Sequence, residues 1–400
     1  MTAVDFDRAS ATGDVAVALL RASLGEFFRA GWHVLEPSTP LVDNWHIDCL
    51  CDHIQATLED WIRRQHDPTC VQRIQNLLFN CPPGVLKSRV LGVYTLPWMW
   101  LGWPAFKAIY FSANPRVALR DSVYCRDVIL SDWYQATFRP AWTLSEDQNT
   151  KGLFRNTAGG FRQALGITAK IVGDRGDGLF VDDPNDPEEV LSEAARTEVN
   201  NRWDWAIANR LNDLRTSIRI GIMQRVHEDD WSGHVLAQGD WEYVCIPQEF
   251  DPGRARTTAI GWQDPRTEEG EPLFPERFPP EVLDKERRRL GTWGYSGQHQ
   301  QSPTPSEGGK FSQSWLRRWS SAGGSSIVLH RGDRLTDRIE LRECALFCTS
   351  DSACSVKTSA DYTVFSVWAH HRGLGVTLLL DNHRTRLTDP EAIHLARKIK

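Results

Sequence analysis

Ile74-Gln75-Asn76-Leu77-Leu78-Phe79-Asn80-Cys81-Pro82-Pro83-Gly84-Val85-Leu86-Lys87-Ser88 joins an apolar run to a proline–glycine turn and then to a helical pattern. A strand, a tight turn and a helix start, in that order, are the setting of a phosphate loop, because backbone N–H groups and the helix N-terminus face an anion. Lys87 would reach the β- and γ-phosphates of ATP as a point charge, and the Ser88 hydroxyl would hold Mg²⁺. Pro83, Gly84, Val85 and Leu86 would form the cradle around them. The regular pattern G-x-x-x-x-G-K-S/T is not met: Cys81 and Leu86 occupy the two glycine places, and Gly84 lies inside the loop. Taken alone, a proline turn ahead of a helix explains the stretch equally well.

Outward from the loop, short apolar runs at 74–79, 108–112, 179–181, 218–223 and 241–246 read as buried strands. Helical patterns at 87–100, 115–130, 187–211 and 229–238 lie between them. That alternation predicts an α/β domain with a largely parallel sheet, whose ligands bind at the carboxyl ends of the strands. At one such end, Val181 runs into Asp182-Asp183-Pro184. In a phosphate-loop enzyme the first carboxylate would bind Mg²⁺ and the second would orient or deprotonate the attacking water. A solvated Asp-Asp-Pro turn is the bland alternative. At another end, Met223 is followed by Gln224 and then by Arg225-Val226-His227-Glu228-Asp229-Asp230. Gln224 is the candidate sensor of the γ-phosphate, while the acidic run also suits the first turn of a helix. Three polar strand ends in this order weigh more than any one of them.

The 400 residues allow two or three domains, and 24% charged with 41% hydrophobic residues are ordinary globular proportions. A net charge of -6 gives no general nucleic-acid signature, so DNA binding would need a local basic stripe. Nine cysteines without a signal-like start fit a reducing compartment better than a disulfide framework. No run approaches the roughly 18 apolar residues of a membrane span. The expected organisation is a helical segment at 1–70, a phosphate-loop ATPase domain at 71–250, a Pro- and Gly-containing linker at 251–340, and a further unit at 341–400. The last unit reads as a three-strand meander at 344–350, 362–369 and 375–380, then a helix capped by Thr388. That helix has no following strand to pack on, so the unit is expected to be partial.

The ordered set resembles the large subunit of tailed-phage terminases. Pro82-Pro83-Gly84-Val85-Leu86-Lys87-Ser88 with Pro97-Trp98 is similar to the family's divergent Walker A, Val181-Asp182-Asp183-Pro184 to its Walker B, and Gln224 to Asp230 to its coupling motif. Phe111-Ser112-Ala113-Asn114, with Arg120 in the following helix, resembles the segment between them. Gly31-Trp32 to Asp48 is similar to the adenine-proximal segment, with Trp45 and His46 as candidate contacts to the base. Among 17 tryptophans, core packing is an equal reading of Trp45. Gly297-Gln298-His299-Gln300-Gln301-Ser302-Pro303 resembles the stretch that leads into the nuclease domain. The resemblance implies ATP-driven movement of double-stranded DNA, a homo-oligomeric ring on a portal protein, a small terminase subunit as partner, and work in the host cytoplasm at the procapsid. It also implies an RNase H-like nuclease, cut short here, in which Asp351 and, less directly, Asp361 hold Mg²⁺ or Mn²⁺.

Two departures stand out. The family's phosphate-loop arginine has no counterpart, since Gly84 stands at the matching place, and Arg175 is a guess at a substitute. Its Walker B glutamate is replaced by the shorter Asp183. Among the weaker signals, His46, Cys49, Cys51 and His53 lack the paired spacing of a zinc site. Lys285-Glu286-Arg287-Arg288-Arg289 with Arg317-Arg318 is the best basic patch for DNA phosphates, or else a solvated helix face. For Asp381, a solvated strand-end residue is preferred to a metal ligand. Two alternatives to the packaging motor stand beside it, a helicase-like translocase and a non-hydrolysing nucleotide- or DNA-binding module with a degenerate loop.

Overall fold

Successive side chains of a strand point to opposite faces, so a sheet covered on both sides needs apolar residues at every position. The strands around the phosphate-type loop come close to that requirement, with Arg219 the interior exception. A computed structural model describes residues 14–169, 173–303, 318–331, 334–351, 362–385 and 389–398. The chain divides into two units, Met1–Gly309 and Lys310–Lys400.

The first unit is built on one eight-stranded sheet. Its strands are β1 (Asn76–Asn80), β2 (Lys107–Ser112), β3 (Leu144–Asn149), β4 (Leu153–Asn156), β5 (Phe161–Gly166), β6 (Gly178–Asp182), β7 (Ile218–Met223) and β8 (Glu242–Cys245). They lie in the order β3-β4-β5-β2-β6-β7-β1-β8. The six strands from β5 to β8 run parallel, and β3 and β4 add an antiparallel edge. The expected α/β class with a largely parallel sheet is therefore what the chain adopts. The edge at 144–166 was not anticipated, because its strands span only four to six residues and carry no clear apolar run or alternation.

Leu77, Phe79, Ala108, Tyr110, Phe180 and Ile220 pack into a core on one face of the sheet. That core is shared with helices α1 (Asp14–Ala22), α2 (Leu24–Leu35), α3 (Trp45–His66), α4 (Thr95–Gly102), α5 (Pro115–Leu130) and α6 (Asp132–Phe138). The described part of the segment at 1–70, from Asp14 onward, thus shares the core of the main sheet. Leu78, Ile109, Phe111, Leu179, Val181 and Met223 face the other way. They meet α7 (Glu193–Arg202), the π-helical turn Trp203–Ile207 and α8 (Trp231–Gln238). Gly221 on β7 is required here, since a Cβ would lie 2.5 Å from the Trp231 ring.

The described parts of the stretch expected as a linker, 251–303, 318–331 and 334–340, are built into the two units, while the Pro- and Gly-containing run from 304 lies outside the described residues. Leu273 and Phe274 are buried in the main core, and α9 (Pro280–Gln298, broken at Gly291) follows in the same unit. Its prolines and glycines drew attention to chain breaks, whereas two apolar anchors decide where the segment sits. In the second unit, β9 (Trp319–Gly323), β10 (Ser326–Arg331) and β11 (Arg334–Glu340) form an antiparallel sheet within the same supposed linker. The expected meander follows as β12 (Ala345–Asp351), β13 (Thr363–His371) and β14 (Val376–Thr385), paired antiparallel in that order. Helix α10 (Asp389–Lys398) comes next, and its expected cap, Thr388, lies outside the described residues.

Candidate functional site: a phosphate-type loop with two strand-end carboxylates

β1 ends at Asn80, and the chain turns through 81–86 before the helical backbone begins at Lys87. Two residues of the turn occupy the left-handed region, Gly84 at φ 79° and Leu86 at φ 64°. Glycine enters that region freely and leucine does so at a cost. Leu86 stands at the second glycine place of the regular pattern and adopts a conformation suited to glycine, so the loop keeps a backbone shape that its sequence obscures. From Arg89 to Tyr94 the helix widens into a π-helical turn. The backbone N–H of Thr95 reaches back to the Val90 carbonyl, and the Thr95 hydroxyl donates to it at 2.8 Å. Pro97, in the next turn, lacks an N–H and crowds the carbonyl four residues earlier, which a widened turn relieves.

The loop lies at the carboxyl ends of the parallel strands, where strand order reverses. β7 is inserted between the loop strand β1 and the acidic strand β6, so the ends of all three converge. Lys87, buried, places its Nζ 3.1 Å from Oδ2 of Asp183. The other oxygen of Asp183 accepts from the backbone N–H of Gln224 at 3.0 Å. Asp183 itself sits at φ 42°, which turns its carboxylate back over the strand ends. Burial opposes the charge on Lys87, but Asp183, Cys81 and Asp182 together hold its ammonium above the ordinary lysine range. Asp182 is buried, and burial pushes its carboxyl up to about 7, with the charge of Asp183 adding and Lys87 and the Ser88 hydroxyl opposing.

Oδ1 of Asp182 is buried without a hydrogen-bond partner, and so is Oε1 of Gln224. An orphaned carboxylate oxygen beside a serine hydroxyl is a donor set of hard oxygens, which suits Mg²⁺ completed by water and phosphate. Ser88 and Asp182 therefore fit the ion expected from the sequence. Lys87, Ser88, Asp182, Asp183 and Gln224, picked from three separate stretches, are brought together.

His46 has a different place from the one expected. His46 is buried beneath the loop with Nε2 3.2 Å from the Val85 carbonyl, and its ring lies 5.1 Å from that of Phe274. Burial pushes it down to about 4, so the ring is neutral near pH 7 and Nε2–H donates to that carbonyl. Trp45 stacks on Trp262 at 5.9 Å. The His46 ring thus supports the loop from the core side, because α3 packs against β1. Arg175 is excluded as a phosphate-reaching arginine: it donates to the carbonyls of Asn209 and Leu211 at the amino end of β6, opposite the site.

The coupling stretch forms a fixed node that the sequence did not disclose. Nε of Arg225 lies 3.0 Å from both oxygens of Asp230, and Asp230 also accepts from Val226 N and Gly233 N at 2.9 Å, capping α8. The backbone N–H of Arg225 donates to Oε1 of Gln301 at 2.8 Å, tying the end of β7 to the glutamine-rich stretch after α9. On α9, Arg287 pairs with Glu249 and Asp284, and Arg289 with Glu286, so much of the basic run is compensated within the unit. His53 is bound between the Cys49 carbonyl and the Thr258 hydroxyl. Among the described residues no three His, Cys, Asp or Glu side chains are grouped to hold a metal.

In the second unit Asp351 ends β12, exposed and opposite Val364. Asp361 lies outside the described residues. Asp381 is inside β14 rather than at a strand end, opposite Val367, and its carboxylate lies 3.1 Å from Nε2 of His383. Cys348 also faces Val367, three residues from Asp351 on the same strand, so Asp351 and Asp381 project from opposite faces. A shared metal site for those two is ruled out.

No helix among the described residues is long and apolar enough to cross a membrane. No protein-family model matches the chain, and no curated protein matches it. Among solved structures it is similar to the large terminase of a thermophilic bacteriophage in complex with ADP, at 9% identity over 86% of this chain and 73% of that one, with a TM-score of 0.33. The same terminase in complex with ATP-gamma-S matches at 8% identity, covering 86% and 72% of the two chains, with a TM-score of 0.33. A mutant of the ATPase domain of the Thermus phage P74-26 large terminase matches at 12% identity, covering 60% of this chain and 91% of that one, with a TM-score of 0.37. Likeness at this level has no bearing on activity, and the fold class stands on the chain's own strand order and loop.

Proposed function

We propose that this chain is the ATP-driven motor subunit of a terminase, moving double-stranded DNA into a phage capsid. The observation that supports it most is the convergence of Lys87, Asp183 and Gln224 at three adjacent strand ends, beside the orphaned carboxylate oxygen of Asp182. The loop N–H groups and Lys87 bind the phosphates of ATP. Ser88 and Asp182 hold Mg²⁺, which when bound neutralises phosphate charge. Lys87 leaves Asp183 for the phosphates, and the freed Asp183 carboxylate then orients the attacking water and accepts its proton. Gln224 responds to the γ-phosphate, and the Arg225–Asp230 node passes the change to α8 and to Gln301. A homo-oligomeric ring on a portal protein, with a small terminase subunit, belongs to the same reading, as does work in the host cytoplasm.

The departure at Leu86 favours one competing reading, a loop that binds nucleotide without turning it over. Mg²⁺-dependent ATP hydrolysis, with and without double-stranded DNA, separates the two when the native chain is compared with Lys87→Ala. The expected result is turnover by the native chain, its loss in Lys87→Ala, and negligible cutting of DNA. Nucleotide binding by a native chain that stays inert even with portal protein and small subunit would overturn the motor.

A further inference from the structure

The loop has an exposed cation above it that the reading so far does not use. A Cβ built on Gly84 would lie 3.5 Å from Nε and 3.8 Å from Nη2 of Arg277, and 3.1 Å from Cζ of Phe278. The guanidinium of Arg277 therefore lies against the apex of the phosphate-type loop, although 193 residues separate the two in sequence. Its position is fixed by the segment before it. Leu273 is buried, its N–H donates to the Gln248 carbonyl at 2.7 Å, and its own carbonyl accepts from Asn44 at 2.6 Å. Phe274 is buried against His46, the residue that supports Val85. The N–H groups of Arg277 and Phe278 then both return to the Phe274 carbonyl, at 3.1 and 2.8 Å, in a tight turn that directs Arg277 over Gly84.

Arg277 is exposed, and among the described residues it forms no ion pair; its contact is with the ring of its neighbour Phe278, 5.8 Å away. The other arginines near the loop are engaged. Arg120 is paired with Asp121 at 2.8 Å, and Arg266 with Asp264 at 2.7 Å. Lys87 is buried and already bound to Asp183. A guanidinium left unpaired over an anion cradle, at the end of a segment anchored by two buried residues, has the donors and geometry for phosphate oxygens.

We propose that Arg277 is a phosphate-binding residue of the nucleotide site, supplied by this chain itself from the segment after the sheet. This rests on the reading of loop 81–88 as a nucleotide site. Arg277 donates to the polyphosphate from the side of Gly84, while Lys87 binds it from within the loop. Three residues after Arg277, Pro280 opens α9, so nucleotide occupancy is felt at the start of that helix without passing through the sheet.

The test is equilibrium binding of Mg-ATP, Mg-ADP and inorganic tripolyphosphate to the full chain, for native protein, Arg277→Ala, Arg277→Lys and Lys87→Ala. Loss of a charge-assisted contact is expected to weaken ATP binding by about tenfold or more in Arg277→Ala. Tripolyphosphate should weaken in proportion, Arg277→Lys should recover part of the loss, and the denaturation midpoint should hold because Arg277 is exposed. Native-like ATP affinity in Arg277→Ala, with affinity lost in Lys87→Ala, overturns the role of Arg277 and leaves the nucleotide site standing. A loss for ATP with none for tripolyphosphate moves Arg277 to the base or ribose and also overturns it. If the native chain binds none of the three, the nucleotide reading itself fails and takes this role with it.

Discussion

Leu86 offers a measurement in which the usual ranking of two residues should reverse. Its φ of 64° puts a side-chain-bearing residue where the Cβ crowds the following carbonyl, at a cost of about 1–2 kcal/mol. Leu86→Gly and Leu86→Ala both remove the isobutyl group, which is only partly buried against the main core, so that loss nearly cancels between them. What remains is the backbone. Alanine keeps the strain, whereas glycine sheds it but brings roughly 0.5–1 kcal/mol of extra unfolded-state entropy. The balance leaves Leu86→Gly more stable than Leu86→Ala by about 0.5–1 kcal/mol. At an ordinary helical position, alanine would lead by about 1 kcal/mol. The two expectations differ by well over the error of paired urea titrations, and 17 tryptophans provide the fluorescence signal. Leu86→Gly should also bind nucleotide at least as well as native protein, since it restores the regular loop residue. An alanine variant as stable as the glycine variant, or more so, would refute the reasoning and remove the left-handed turn at 86 from the account of the loop.

Other outcomes follow from the same contacts. Asp230 is buried with Arg225 as its counterion, so Asp230→Ala leaves a buried guanidinium unpaired and should cost about 3–5 kcal/mol by chemical denaturation; a cost below about 1 kcal/mol would mean that the node is not tight. Burial holds His53 down to about 4 in the folded chain, while the unfolded chain takes up its proton near pH 6.5. Stability from this group is therefore full above about pH 6.5 and declines as pH falls towards 4, by on the order of 3 kcal/mol over the whole window. Denaturation midpoints at pH 7.5 and 5.0 should show that decline in the native chain and a shallower one in His53→Asn. Equal slopes in the two proteins would count against a neutral buried histidine.

The sequence by itself determined the class of the main domain and the ends of its strands. Apolar runs such as 218–223 coincide with β7, and the pattern at 115–130 coincides with α5, because both are local periodicities driven by burial. Lys87, Ser88, Asp182, Asp183 and Gln224 were legible for a related reason: in a parallel sheet, polar residues just after buried runs must emerge at one edge. Only the tertiary structure decided the rest. Nothing near Arg277 in the chain marks it as a neighbour of Gly84, since Leu273 and Phe274 carry it there through contacts with Asn44 and His46. Nor could local pattern show that His46 supports the loop backbone, that Arg225 and Asp230 neutralise each other, or that 251–303 belongs to the first unit. The edge at 144–166 escaped for the converse reason, being short strands whose pairing, parallel between β5 and β2 and antiparallel beyond it, and not their own periodicity, makes them a sheet. Periodicity records which residues must be buried; it does not record what they are buried against, and the assignments that changed all depended on that second fact.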